Sequence, residues 1–498
     1  MTNPLAPPPS FDASTAAAVR VLLQAIQMPE APDGLGDLLH GQFSRRIRKP
    51  ILRQRLERDD LDVRTALIIT FNEQLPFPAK TLAPEVIDLL LGCGLLAEVP
   101  GDAGSLRSPL LVSRIADSFV VADPIGAEAA TVMPPGPGTV RLARLLPSDL
   151  KGRRMLDLCA GPGSVALVAA ARGAKVVAVD VSERCVEFMR ANAALNAVHL
   201  DIRLGDLFEP VAGERFDVVA THPPYVELPE ALAPVLYLHG GERGDELPYR
   251  VMAGLPDLLE PAGEALVEFH AAGTGDEVNE RVEAIFEGSD CEVALFTVSI
   301  GDADTRAINT GGLHDPDLGP RFDEAVMSYR RHLDEIGLEG VAALAFIRRR
   351  RAEWTRQPWK THTVGRDVPH TRRVLDHRVN TFDIIASTSA DDVFDMTVRA
   401  PEGSQLLMEI ALDGETPTAY GVRVPMGSAL SSWELTPHSA SLLQRLCEAA
   451  TVRDAMIAFA EAAERERDAE LEREVVEFVM HSLLSGVLYV APAPAPSS

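Results

Sequence analysis

The stretch from Met155 to Ala171 limits what this chain can fold into more than any other. Apolar residues Met155 to Leu158 run into a glycine-rich turn, Cys159-Ala160-Gly161-Pro162-Gly163, and then into the Ala/Val-rich Val165 to Ala171. A strand that passes through such a turn into a helix begins a β-α unit, and its turn lets backbone N–H groups approach a ligand closely. The same alternation continues down the chain. Val176 to Val179, Leu200 to Leu204, Phe216 to Ala220, Ala265 to Phe269, Val293 to Val298 and Val341 to Ile347 are further strand candidates. Helical spacing fills Glu183 to Leu195, Tyr249 to Leu259 and the amphipathic Phe322 to Ile336. Strands and helices in alternation imply parallel pairing with crossover connections, so the expectation is an α/β chain with a Rossmann-like sheet of seven strands.

On either side the pattern changes. From Ala16 to Glu98 apolar residues recur at helical spacing, as in Val19, Leu22, Leu23 and Ile26, followed by strand-like pieces at Leu110 to Arg114 and Ser118 to Ala122. After Trp359 come alternating strands at Val393 to Val398, Gln405 to Ile410 and Tyr420 to Val424. Helical segments Leu442 to Cys447, Val452 to Ala463 and Ala469 to Leu484 follow, then a terminal strand from Val487 to Val490, an order shared with winged-helix modules. The expected division is a helical module over residues 14–110, the α/β domain over 111–355 and an α+β domain over 360–491. The Pro-, Ala- and Ser-rich first 13 residues and Pro492 to Ser498 read as disordered.

Composition narrows the partners. The net charge of −26, of which −15 falls between residues 111 and 359, opposes a protein that holds nucleic acid through phosphates. The basic clusters Arg45 to Lys49 and Arg348 to Arg351 are short and read as a solvated helix face or strand end. Five cysteines lie far apart without a C-x-x-C pair, so neither a disulfide framework nor a zinc site is expected, and no metal is assigned. No run approaches the ~20 apolar residues needed to cross a bilayer, and the basic-free Met1 to Ser14 is unlike a signal peptide. These features place the protein in the cytoplasm, without membrane contact. An acidic terminal module suits protein or peptide contact, with homodimer formation open.

The candidate site residues fall at strand ends. Asp157 ends the first strand of the alternation, Asp180 the next, about twenty residues on, where a carboxylate can accept both hydroxyls of a ribose. Asp206 follows the third strand, where it can reach an adenine amine while Leu207 packs on the ring. Cys159, Ala160, Gly161, Gly163 and Val181 complete the candidate nucleoside site. A dinucleotide site is the competing reading. Ala166 at the third glycine position decides little, but Pro162 removes one N–H from any phosphate cradle and Asp206 would repel a pyrophosphate. After the fourth strand comes Thr221-His222-Pro223-Pro224-Tyr225, in which two prolines make a stiff wall.

With these residues together, the chain resembles class I methyltransferases that carry an Asn-Pro-Pro-Tyr motif, including the release-factor glutamine methyltransferases. Pro135-Gly136-Pro137-Gly138-Thr139, Leu207 to Val211 and Gly240-Gly241-x-x-Gly244-Asp245 extend the likeness to bacterial methyltransferases of similar length, over approximately Val19 to Arg350. The resemblance implies S-adenosylmethionine as cofactor, with Thr139 capping a helix near its methionine moiety. It also implies that Pro223, Pro224 and Tyr225 stand beside the transferable methyl, Tyr225 stacking on a planar acceptor. In the family the Asn accepts hydrogen bonds from the nitrogen to be methylated; here His222 replaces it, and an imidazole cannot reproduce an amide's paired donor and acceptor. His222 is then either a general base or a group that shapes the pocket. Glu227, His239, Glu242 and His270 are candidate substrate contacts, and Glu268 ends the fifth strand beside them. The expected acceptor is a nitrogen or oxygen on a small molecule, peptide or natural-product intermediate. A protein glutamine or an RNA amino group is the alternative, and a non-catalytic nucleoside-binding protein is a third reading.

Overall fold

A computed structural model of the chain describes residues 5–31, 45–126, 128, 130–227, 229, 232, 235–315, 318–336, 340–354, 363–365, 368–410, 417–426 and 429–491. Two compact units form, residues 1–352 and 353–498.

The first unit opens with helices at Ala13–Ala25, Arg45–Leu56, Val63–Glu73 and Pro84–Gly92. Val19, Leu23, Leu67, Ile69 and Phe71 fill their shared core, as the helical spacing requires. Two expectations fail here. The module is not purely helical, because Phe77–Pro78, Asp102–Arg107 and Ala97–Val99 pair as a small antiparallel sheet. Asp102–Arg107 shows little apolar alternation because its first three residues are exposed. Nor is the Pro-rich start loose over residues 5–12: Ser10 N–H donates to the Cys93 carbonyl at 3.2 Å and Arg184 donates to the Ala6 carbonyl at 2.6 Å. Pro492 to Ser498 lie outside the described residues.

The expected pieces near residues 110–122 form a hairpin, Leu111–Ile115 with Ser118–Ala122. Asn192 ties it to the glycine-rich turn: its amide pairs with both backbone groups of Val121 and donates to the Pro162 carbonyl at 2.9 Å. A buried side chain with all these bonds made is a rigid cross-link.

The α/β part is built on seven strands: β1 Arg154–Leu158, β2 Lys175–Asp180, β3 Asp201–Leu204, β4 Phe216–Thr221, β5 Leu259–Ala272, β6 Cys291–Ser299 and β7 Gly340–Arg349. Their order in the sheet is β6-β7-β5-β4-β1-β2-β3. Strands β1 to β5 pair in parallel, while β7 runs antiparallel between β5 and β6. This is the seven-stranded Rossmann-like sheet that the alternation predicts, with β7 departing from the expected parallel pairing. The chain proceeds from β1 outward through β2 and β3, then returns to the other side of β1 with β4. That reversal makes the crevice at the carboxyl ends of β1 and β4 the place where loops part and a ligand can enter.

The helices are α1 Pro137–Leu145, α2 Ser164–Ala171, α3 Glu183–Asn196, α4 Glu246–Leu258, α5 Gly275–Phe286, α6 Ala303–His314 and α7 Pro320–Ile336. Helices α5 and α6 were not expected, and α1 only as a helix capped at Thr139. Ser182, Thr274 and Asp302 accept N–H bonds at the starts of α3, α5 and α6, which fixes where those helices begin. Helices α6 and α7 form a hairpin inserted between β6 and β7. Ala307, Tyr329 and Leu333 from the hairpin pack with Val235 and Leu238 from the loop after the Pro-Pro-Tyr motif. The second basic cluster is a strand end, as read: at the end of β7, Arg348 pairs with Glu292 at 3.0 Å and Arg349 with Asp290 at 2.8 Å.

In the second unit, helix Arg372–Ser387 precedes an antiparallel meander of Gln405–Ile410, Pro417–Met426 and Ala429–Leu435. Helices Pro437–Glu448, Val452–Ala462 and Ala469–Leu484 follow, and Tyr489–Val490 pairs with Val398–Arg399. The segment read as a strand from Val393 to Val398 is one only at its last residue: Val393 ends a short helix, Ala390–Val393, and Val398 begins the strand Val398–Arg399. A capping box between Ser389 and Asp392 starts that helix.

Candidate active site

A cavity of about 480 Å3 opens at the carboxyl ends of β1 to β5. On one side the strand ends supply Asp157, Cys159, Ala160, Gly161, Asp180, Val181, Asp206 and Leu207, all of them expected. On the other stand His222, Pro223, Pro224, Tyr225, His239 and His270, with Thr139 from α1. Four expectations are corrected. Gly163 caps α2 and does not line the cavity. Glu227 is turned away into a buried ion pair with Arg306. Glu242 lies outside the cavity, where its carbonyl meets His332 Nε2 at 3.1 Å. Thr139 is not a cap: Gly136 holds that position and Thr139 sits within the first turn of α1.

The acids are held in place by the turn they serve. Asp180 accepts the N–H groups of Gly161 at 2.8 Å and Ser182 at 2.9 Å, one on each carboxylate oxygen, and lines the cavity. Asp157 accepts the Ala166 N–H at 2.8 Å, and burial pushes its pKa up to about 7. Asp206 is half-buried and pairs with Arg250 at 2.7 Å. Among the described residues lining the cavity there are three aspartates and no lysine or arginine. Such a lining would repel a pyrophosphate and suits a nucleoside that carries a positive charge. These residues therefore fit S-adenosylmethionine, a cationic adenosine derivative.

The side of the cavity facing these acids is aromatic. Tyr225 lies between two imidazoles, its ring centroid 5.3 Å from that of His222 and 4.2 Å from that of His270. The turn that carries Tyr225 is braced from behind by the Gly240-Gly241-x-x-Gly244 loop. A Cβ on Gly240 would fall 2.6 Å from the Tyr225 Cα, and one on Gly244 would fall 2.6 Å from the Tyr225 carbonyl oxygen. Backbone packed against backbone leaves no room for a side chain, which accounts for the glycine spacing.

Behind His222, Arg141 of α1 forms a two-point ion pair with the buried Glu268 of β5, its Nε donating at 3.1 Å. Burial, and then the Arg141 cation, hold the His222 imidazole down at about 4. Burial followed by the neighbouring His222 and the Arg306 and Arg141 cations hold His270 at about 3. Both are neutral in the fold at pH 5, whereas an unfolded chain takes up protons from about 6.5 downward. Stability is therefore complete above pH 6.5 and falls as pH drops toward 4, by on the order of 1–2 kcal/mol per imidazole at pH 5. Asp157 works the other way, because its raised pKa makes the fold bind a proton before the unfolded chain does. Urea unfolding at pH 7 and pH 5 should thus show a smaller acid loss in His222→Asn than in the parent chain, a difference to which Asp157 contributes nothing. Equal losses would show that the imidazole is not neutral in the fold.

Several lining residues escaped sequence reasoning. Leu236, Tyr237 and Leu238 come from the loop after Tyr225, and Asn309, Thr310 and Leu313 from α6. The Gly311-Gly312 pair had hidden that helix, since adjacent glycines disfavour helical structure. Arg141 lies 127 residues from Glu268, and no local signal links them.

Residues 135–234, which span the glycine-rich turn and the Pro-Pro-Tyr wall, match the family described as Methyltransferase small domain. These residues are thus similar to a methyltransferase small domain. The ribosomal protein uL3 glutamine methyltransferase of Bradyrhizobium diazoefficiens is 33% identical over 168 residues, covering 30% of this chain and 52% of that protein. The release factor glutamine methyltransferase of Xylella fastidiosa (strain 9a5c) is 33% identical over 129 residues, covering 23% and 46%. The chain thus spans about half the length of these curated relatives. A solved T. thermophilus 16S rRNA N2 G1207 methyltransferase, in complex with AdoMet and guanosine, overlaps 56% of this chain and 64% of its own at 17% identity, with a TM-score of 0.29. That likeness is too slight to add to the strand order, which defines the fold here. Among the described residues no helix is long and apolar enough to cross a membrane, and no group of three or more His, Cys, Asp or Glu could hold a metal ion.

Proposed function

We propose that this chain is an S-adenosylmethionine-dependent methyltransferase whose acceptor is a planar, uncharged nitrogen group, in first place the side-chain amide of a protein glutamine. The observation that carries the reading is the meeting, in one cavity, of three aspartates at consecutive strand ends with the Pro-Pro-Tyr wall and its imidazoles. Asp180 would hold the ribose, with Asp206 and Leu207 at the adenine. Asp157, Cys159, Ala160, Gly161 and Val181 would border the rest of the donor. The bound donor would supply an electrophilic methyl on sulfur, and the chain's task is alignment. Tyr225 would stack on the planar acceptor, while Pro223 and Pro224 keep that surface from yielding. The acceptor side carries no charged side chain among the described lining residues, which suits an amide better than an ammonium or a carboxylate.

The glutamine amide is favoured by the names of the relatives at 33% identity, both glutamine methyltransferases. A small free molecule is the second reading. It is favoured by His222 standing where the Asn of the motif is expected, and by the Asn309, Thr310 and Leu313 wall on the acceptor side. The charge of −26 speaks against an RNA acceptor. We place the working site in a cytoplasmic protein, within the residues 111–355 domain.

Calorimetric titration with S-adenosylmethionine should show saturable binding and a raised melting temperature. Neither heat nor protection would sink the reading. Incubation with labelled donor and a glutamine-containing peptide, read by mass spectrometry, should give a product heavier by one methylene on the glutamine. Donor binding without transfer to the peptide but with label in a metabolite pool would favour the second reading.

A further inference from the structure

His222 presents its nitrogens to α1. Nδ1 shares a hydrogen bond with the Thr139 hydroxyl at 3.3 Å, and Nε2 is shut off from solvent without a partner. The Nε2–Cε1 edge fits against Gly138: a Cβ there would lie 2.8 Å from Cε1, 3.1 Å from Nε2 and 3.2 Å from Cγ of Glu268. The Tyr225 ring stacks on the imidazole, inclined at 28° to it with centroids 5.3 Å apart, and His270 lies against Tyr225 in turn. The imidazole therefore fills the space between the first turn of α1 and Tyr225. The backing cannot withdraw, because Arg141, one turn along α1, is locked to the buried Glu268.

We propose that Gly138 and Thr139 are positioning residues: they seat the His222 imidazole edge-on against α1, and through it hold Tyr225 against the acceptor, so that His222 acts as a spacer and not as a base. This rests on the methyltransferase reading above. The groups facing the imidazole agree with it. Burial and then the Arg141 guanidinium disfavour an imidazolium, Glu268 is already taken by Arg141, and Tyr225 offers its ring face. An Asn at this position is shorter and has no atom in the space above Gly138. The missing Cβ at residue 138 thus matters more for an imidazole than for an amide, and the two positions are coupled.

The test is a double-mutant cycle in the full chain with G138A, H222N and G138A/H222N. G138A displaces the ring on which Tyr225 stacks. It should lower kcat/KM for the glutamine peptide by about 10-fold or more while leaving S-adenosylmethionine affinity within about threefold, and in the H222N background the same change should cost less than about twofold. In the parent chain, kcat between about pH 5 and 8 should show no imidazole limb that H222N removes. Additive effects of the two substitutions, or such a limb, would overturn the proposal. If the peptide proves not to be an acceptor, the cycle is read instead in melting temperature and in the NMR signals of the His222 ring. Those signals should move in G138A and in T139V and should show no protonation above about pH 5. A ring that titrates normally, or that is indifferent to both substitutions, would overturn it whatever the acceptor. T139V removes only the hydroxyl, so the proposal stays testable if G138A does not fold.

Discussion

Replacing Asp180 with Ala is expected to weaken S-adenosylmethionine binding by about 100-fold or more, because hydrogen bonds to a charged group contribute roughly 1.5–3 kcal/mol each and two ribose hydroxyls lose their acceptor. A second loss adds to it. The same carboxylate holds the Gly161 and Ser182 N–H groups, so its removal also frees the turn that borders the donor. Asp180→Asn separates the two contributions, since an amide keeps one acceptor oxygen and should fall between Ala and the parent chain. Calorimetric titration measures all three proteins. An Asp180→Ala chain with parental affinity would mean that the ribose lies elsewhere in the cavity. Asp157→Asn offers a contrast, because Asp157 is deeply buried and bonded to the Ala166 N–H, so its replacement should act more on folding than on affinity.

The second large effect concerns the α6–α7 hairpin. Arg306→Met should destabilise the first unit by about 3–5 kcal/mol, because it leaves the Glu227 carboxylate buried without its partner. Burial already raises the Glu227 pKa against the pull of Arg306. Urea unfolding gives the magnitude, and hydrogen exchange should place the loosening in α6 and the loop after Tyr225. Glu227→Gln combined with Arg306→Met should recover most of the loss, since no buried charge then remains. Parental stability in Arg306→Met would show that the pair does not hold the hairpin to the loop. Because Asn309, Thr310 and Leu313 line the cavity from α6, the single variant should also weaken the acceptor more than the donor.

Much of this site lay open in the chain because the half proposed for the donor is local. Asp157, Asp180 and Asp206 each close a strand in a repeating strand-and-helix pattern, and the parallel sheet brings successive strand ends to one edge. Pattern and place therefore coincide. The acceptor half is different. His222 and Tyr225 were marked by the motif, yet the direction of the imidazole depends on Gly138 and Thr139, more than eighty residues earlier, through α1, a helix that the spacing did not reveal. Glu227 looked like a substrate contact until Arg306 was found against it, and Glu268 had no stated role until Arg141 was found beside it.

The sequence alone determined the sheet, the turn, the acids at its edge and the stiff wall after β4, because each follows from residue type at short range: apolar period, glycine and proline geometry, and strand-end position. It could not determine which charges neutralise one another, which way a ring edge faces, or what closes the acceptor side. Those depend on contacts between segments far apart in the chain, where a carboxylate with an arginine beside it and one without are the same letter. Only the tertiary structure turned His222 from a candidate base into a ring wedged between α1 and Tyr225, and set Glu227 inside a buried ion pair instead of in the cavity.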